Sequence, residues 1–171
     1  FSDRLLKEYS QNGSNLGGHP KKGDAPGIEA TTGSLGHGLA IANGIALSAK
    51  IKNKDNKVFT VMSDGEMNEG SVWESIMFAS QQKLDNLTLI VDNNNQISLD
   101  KLSNILSVEP LDQRFKSFGW SVSRVDGHSH NAILNALKKT PKEIEKPLVV
   151  IADTIKGKGV SFMEGVTTVS Y

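Results

Sequence analysis

Asp64 stands in the stretch Val-Met-Ser-Asp-Gly-Glu-Met-Asn-Glu-Gly, after a short apolar run and before a segment of helical spacing. Three acids, Asp64, Glu66 and Glu69, fall where a strand should hand over to a helix. Acids at a helix start are ordinary, because the N-terminus attracts negative charge. A carboxylate at the C-terminal end of a strand, beside exposed backbone N–H groups, can also hold a cation against a phosphate. Thirty positions on, Asn94 lies in Asp-Asn-Asn-Asn-Gln, after a second apolar run. Magnesium takes oxygen ligands in an octahedron, with few carboxylates and often with substrate phosphates. The Asp64 carboxylate, the Asn94 amide oxygen, a backbone carbonyl, two diphosphate oxygens and a water would make six. Gly65 lets the backbone approach a phosphate with no Cβ in the way. Asp-Gly and runs of Asn are also common turns, so either alone is a weak signal. The pair, each at a strand end and one crossover apart, favours the metal reading.

The elements that must position these residues follow from periodicity. Residues 58–62, 87–91, 120–125 and 148–152 are short, β-branched apolar runs bounded by polar turns and read as strands. The second and fourth lack clean alternation, as a parallel strand covered on both faces should. Helical patterns lie between them at 34–50, 71–82, 111–118 and 131–139. The first is rich in small residues, which suits close packing. The second places Val72, Trp73, Ile76, Met77 and Ser80 on one face. Strands alternating with helices predict a parallel sheet in an α/β fold of three layers, α/β/α. Ligands in such a sheet sit outside the carboxyl ends of the strands. Residues 63–70, 92–96 and 152–159 would gather there. Residues 12–27, with five glycines and two prolines, read as a loop, ordered or mobile.

The 171 residues suit one domain, 1–171, with no internal boundary. The chain opens on Phe1 rather than methionine and stops abruptly at Tyr171, so truncation at both ends is expected. Nineteen basic and nineteen acidic side chains cancel, which gives no support to a nucleic-acid or membrane-surface role driven by charge. The absence of cysteine excludes disulfides, thiolate metal sites and cysteine nucleophiles. No apolar run reaches the ~20 residues of a membrane span, and nothing resembles a signal peptide, so a cytoplasmic protein is expected.

The histidines divide. His19 alone would be a loop histidine capping a turn. His37, in a glycine-rich helix start, reads as a packing or hydrogen-bonding residue. His128 and His130, in Asp-Gly-His-Ser-His-Asn, flank a helix start and read as surface caps. Lys156 and Lys158, in Lys-Gly-Lys-Gly, are open between a phosphate contact and a solvated loop.

The stretch SDGEMNEGSVWESIMFASQQKLDNLTLIVDNNN resembles the thiamine-diphosphate signature: Gly-Asp-Gly, about thirty residues, then an Asn pair. With GGHP (17–20), PGIEATTGSLGHGLAIANG (26–44) and ADTIKGKGVSFME (152–164), in that order, it looks like transketolase, closest to the split form whose amino-terminal half is a separate chain. The resemblance implies thiamine diphosphate and magnesium, with calcium or manganese as substitutes. It makes Asp64, Asn94 and the Gln96 carbonyl the metal ligands. Asn94 is preferred over Asn95 by its spacing from Asp64. It assigns cofactor contacts to His19, Gly33, Leu35, Asp64, Gly65, Glu66 and Asn94, and donor-substrate contact to His19, the catalytic residue of this half. Glu69 matches an acid of the family's subunit interface. Two departures stand out: Ser63 replaces the first signature glycine, and the loop DNNNQISLD is one residue longer than the usual pattern.

The implied activity is transfer of a two-carbon ketol unit between sugars, sugar phosphates included. In this family the glutamate that acts on the aminopyrimidine lies on a pyrimidine-binding domain, which these residues do not supply. A separate carboxy-terminal subunit or domain is therefore implied, in a homodimer or heterotetramer, and the chain alone is expected to be inactive. The alternatives are a thiamine-diphosphate enzyme acting on a 2-oxoacid, of the deoxyxylulose-phosphate synthase or 2-oxoacid dehydrogenase type, and a non-catalytic assembly partner.

Overall fold

The computed structural model describes residues 3–98, 100–138 and 140–166. Its four strands are β1 (Val58–Ser63), β2 (Leu87–Asn93), β3 (Ser121–Asp126) and β4 (Leu148–Asp153). All pair in parallel, in the order β1-β2-β4-β3. The helices are α1 (Asp3–Lys7), α2 (Gly38–Ile51), α3 (Gly70–Gln81), α4 (Leu102–Ile105), α5 (Leu111–Ser117) and α6 (His130–Leu137). The expected α/β fold is observed.

The two central strands show why the periodicity is blurred there. In β2 and β4, Leu87, Leu89, Val91, Val149 and Ile151 meet α2, α3 and α5 on one face. Leu148, Val150 and Ile90 meet α6 on the other. A strand covered on both faces has no polar side to show. β1 lies at the sheet's edge, and α6 reaches only β3 and β4. Phe59 and Val61, on the α6 side of β1, therefore stay exposed. No helix among the described residues is long and apolar enough to cross a membrane.

Each predicted strand runs one or two residues further at its carboxyl end, and β3 starts at Ser121 rather than 120. The first long helix begins at Gly38 instead of 34. Gly33 and Gly36 have φ of +131° and +77°, left-handed values that interrupt a right-handed helix. On α3 the buried line is Val72, Ser75, Ile76 and Ala79; Met77 turns outward and is half exposed. The 131–139 prediction becomes His130–Leu137, and Lys139 lies outside the described residues. The periodicity does not mark α1, α4 or a 3-10 turn over Asp64–Asn68.

Aromatic packing joins the helices beneath the sheet. Phe115 of α5 is fully buried, with Trp73 of α3 at 6.3 Å and Trp120 edge-on at 5.4 Å between ring centroids. Trp120 Nε1 donates to the Ile76 carbonyl at 3.0 Å, so the buried indole is satisfied. Arg114 lies 5.8 Å over the Trp73 ring, a cation–π contact. Phe115→Ala removes the ring that both Trp73 and Trp120 pack against. We expect a loss of about 3–5 kcal/mol in urea unfolding; a loss below about 1 kcal/mol would mean the helices are held some other way.

Candidate functional site

Parallel pairing of β1 with β2, in a register that sets Ser63 against Asp92, brings the two strand ends side by side. Asp64 is the next residue after Ser63, and Asn94 and Asn95 lie just beyond β2. Asp64 is fully buried. Its Oδ2 accepts the Asn95 N–H at 2.5 Å, and its Oδ1 has no partner among the described residues. Burial pushes the carboxyl up to about 6; the Asn95 and Gly65 N–H groups oppose this, and the charge of Asp92 adds to it. A buried carboxylate oxygen with no donor is costly, and a bound cation is one thing that would satisfy it.

The turn after β2 is built on its own side chains. Asn95 has φ of +58°, a left-handed value that Asn tolerates. Asn94 Oδ1 accepts the Gln96 N–H at 2.9 Å, and Asn94 Nδ2 donates to Asp92 Oδ2 at 3.4 Å. An amide oxygen has two lone pairs, so one remains.

Ser63, at the place of the signature's first glycine, has a structural task. Its hydroxyl accepts the Glu66 N–H at 3.3 Å, while Glu66 Oε1 accepts the Ser63 N–H at 3.1 Å. This capping box opens the 3-10 turn over Asp64–Asn68. That turn stands between β1 and α3, so the start of α3 lies one short turn beyond Asp64. Glu66 Oε2 accepts the Gly36 N–H at 3.0 Å, and Ser71 Oγ donates to the Gly36 carbonyl at 3.3 Å. Trp73 Nε1 holds the other end of the turn through the Met67 carbonyl at 2.7 Å.

A cavity of about 470 Å³ opens beside these residues, within the usual size of a small-molecule site. Leu35, Gly65, Glu69, Asn94, Gln96 and Lys156 line it, with Ile97, Ile105 and Leu106 as apolar walls. A Cβ at Gly65 would come 2.7 Å from Ile97 Cγ2, so this wall needs glycine or a displaced isoleucine. Asp64 faces a second hollow of about 340 Å³, shared with Asn93, Asn95, Glu109 and Arg124. There Arg124 bonds both Glu109 and Asp153, at 2.8 Å each. A larger hollow of about 630 Å³ runs along α2 and β1 and contains none of these chemical groups.

The structure thus gathers Leu35, Gly65, Glu69, Asn94 and Gln96 around one cavity, with Asp64 and Glu66 in the turn that borders it. His19 and Gly33 touch each other but lie outside that lining: a Cβ at Gly33 would fall 2.6 Å from His19 Cδ2. The 12–36 segment folds on itself through Thr32 N–H to the Pro20 carbonyl (3.1 Å) and Lys22 N–H to Thr31 Oγ1 (3.1 Å). His37 Nδ1 lies 2.9 Å from the Leu35 carbonyl, the hydrogen-bonding place its position suggests. His128 and His130 do not cap α6; Ser129 does, accepting the Ala132 N–H at 3.3 Å. His128 Nε2 instead accepts the Ile155 N–H at 2.8 Å. Of the two open lysines, Lys156 lines the cavity and Lys158 pairs with Glu164 at 2.7 Å. The walls Ile97, Ile105 and Leu106 carry no signal in the sequence, because no spacing marks a residue that a loop brings to a cavity.

The profile described as "Transketolase, thiamine diphosphate binding domain" matches residues 3–170. An apulose-4-phosphate transketolase subunit of Actinobacillus succinogenes is 41% identical over 160 residues, 94% of this chain and 58% of its own length. The 6-deoxy-6-sulfo-D-fructose transketolase subunit SqwG of a Clostridium species is 37% identical over 165 residues, 96% of this chain and 60% of its own. Among solved structures, transketolase from Campylobacter jejuni superposes with a TM-score of 0.91 at 34% identity, over 97% of this chain and 27% of that one. The chain spans somewhat under two thirds of the two subunits it matches.

The buried acid makes a prediction independent of any ligand. The folded chain holds the Asp64 proton up to about 6, whereas an unfolded chain releases it near the ordinary 3.8. Below both values the folded state carries no penalty; as pH rises through the window the unfolded state gains. In chelator, stability should fall from about pH 4 to pH 7, and Asp64→Asn should recover about 3 kcal/mol at pH 8. Urea unfolding across pH checks this, and a variant less stable than wild type at pH 8 would refute it.

Proposed function

The chain belongs to the transketolase family, and we propose that it is the diphosphate- and metal-binding half of an enzyme that moves a two-carbon ketol unit between sugars or sugar phosphates. The observation that carries the reading is the pair of strand ends. A fully buried Asp64 with an Oδ1 unpartnered among the described residues sits beside the Asn94 turn; Gly65, Asn94 and Gln96 line a cavity of ligand size, while Asp64 itself faces the smaller hollow. That donor set fits magnesium: one carboxylate, one amide oxygen and, in the Gln96 carbonyl, a neutral third ligand. A cation would also relieve the burial that raises the Asp64 carboxyl.

In this reading Asp64, Asn94 and Gln96 hold the metal, and Gly65 lets Ile97 close the wall of the cavity beside the diphosphate. Lys156 brings positive charge to the same cavity. Leu35 offers an apolar surface for the ring system, and its loop is set by the Glu66–Gly36 bond. His19, stacked on Gly33, serves the donor substrate. When bound, thiamine diphosphate would supply the electron sink for breaking and making a carbon–carbon bond; the chain positions it and keeps the metal in place. Two relatives are themselves named as transketolase subunits, which supports a separate partner chain carrying the pyrimidine-binding half. Glu69, exposed at the cavity rim, suits that interface.

Calorimetry tests the site. Thiamine diphosphate should bind only with magnesium, and Asp64→Ala should abolish binding; unchanged affinity would sink the metal assignment. Ketol transfer from a ketose phosphate should appear only with the pyrimidine-binding partner present. Full turnover by this chain alone would refute the half-site reading.

A further inference from the structure

Two stretches noted in the sequence, Asp-Gly-His-Ser-His and Ala-Asp-Thr-Ile, find no place among the cavity's walls and ligands, apart from Lys156 further along. They meet at the carboxyl ends of β3 and β4. Gly127 N–H donates to the Asp153 carbonyl at 2.8 Å, and Ile155 N–H donates to His128 Nε2 at 2.8 Å. The two bonds flank Thr154. The Thr154 methyl lies against Gly127, where any Cβ would collide with it and would come 2.9 Å from the Asp153 carbonyl oxygen. Thr154 N–H donates to the Asn93 carbonyl at 3.2 Å, which ties the segment to the end of β2.

So gripped, the Thr154 hydroxyl donates to Asp92 Oδ1. The other oxygen of Asp92 accepts Nδ2 of Asn94 at 3.4 Å. Both Asp92 oxygens are thus engaged within the chain, which argues against a ligand and for an orienting group. An ionised carboxylate only accepts hydrogen bonds. Whatever else the Asn94 amide does, its nitrogen must turn to Asp92 and its oxygen to the Asn94–Gln96 turn. Partners of this kind, one bond behind a ligand, commonly set ligand orientation and metal affinity.

We propose that Asp92 and Thr154 are positioning residues for the cation site: Thr154 aligns the Asp92 carboxylate, and that carboxylate holds the Asn94 amide nitrogen, which fixes the direction of the amide oxygen and of the lone pair that the Gln96 N–H leaves free. The inference rests on the metal assignment under Proposed function. It extends that site to the ends of all four strands.

The test titrates magnesium into the complete polypeptide, with its partner chain, at fixed thiamine diphosphate, by calorimetry. Thr154→Val keeps the shape and removes the hydroxyl. Thr154→Ser keeps the hydroxyl. Asp92→Ala removes the acceptor that both Thr154 and Asn94 use. Asp64→Ala is the control. Thr154→Val and Asp92→Ala should each weaken magnesium binding at least about tenfold, and Thr154→Ser should bind close to wild type. If wild type binds and Asp64→Ala does not, but Thr154→Val matches wild type, the positioning role is overturned while the site stands. A loss in Thr154→Ser with none in Thr154→Val would overturn it as well, since the methyl and not the hydroxyl would then matter. Should Thr154→Val fail to fold, Asp92→Ala decides: unchanged affinity overturns the proposal. A wild type that binds no magnesium overturns both readings together.

Discussion

The structure turns on one carboxylate taken out of water. Asp64 is buried at the end of an edge strand, one oxygen held by the Asn95 N–H and the other by none of the described residues. A fold tolerates such a group only where it gains something in return. Here a cation would supply the missing partner. Around that group the chain sets everything that must not move: a capping box from Ser63 to Glu66 that encloses it, a left-handed Asn across from it, and a glycine beside it against which Ile97 packs.

The supports share a pattern. Each ties a loop that carries chemistry to an element that cannot shift. Glu66 joins its own turn to the Gly36 loop, so Leu35 is set relative to Asp64. Trp73 anchors the far end of that turn to α3, and the same ring packs against Phe115 and Phe118. Arg124 joins the end of β3 to Asp153 of β4 and to Glu109; burial raises Asp153, but bonds from Arg124 and Asn93 outweigh it and hold it below the usual range. A parallel sheet suits this use because every strand ends at the same edge, so four loops can be tied to one another there.

Much of this is legible in order along the chain. Apolar β-branched runs mark the four strands, and Asp64 and Asn94 stand out by their positions after two of them. In sequence Ser63 is only a tolerated change from glycine; its capping box shows a reason for serine. Spacing misplaces the helix start at Gly38 because two glycines that need positive φ look, in sequence, like small residues of a helix. His128 looks like a cap because it precedes a helix, but its partner is Ile155, 27 residues away.

Sequence by itself determined the alternation of elements, the residue types that could hold a cation and a phosphate, and the motifs that resemble one family. These are local properties, carried by spacing and side-chain chemistry. Only the tertiary structure decided that the strands stand in the order β1-β2-β4-β3, which seats β4 between β2 and β3 and lets Thr154 reach Asp92. It alone decided that Asp64 loses all its water while Asn95 stays exposed, that Lys156 and not Lys158 lines the cavity, and that Ile97 closes over Gly65. Burial and hydrogen-bond partners depend on what packs from elsewhere in the chain, and no spacing along the sequence encodes that directly.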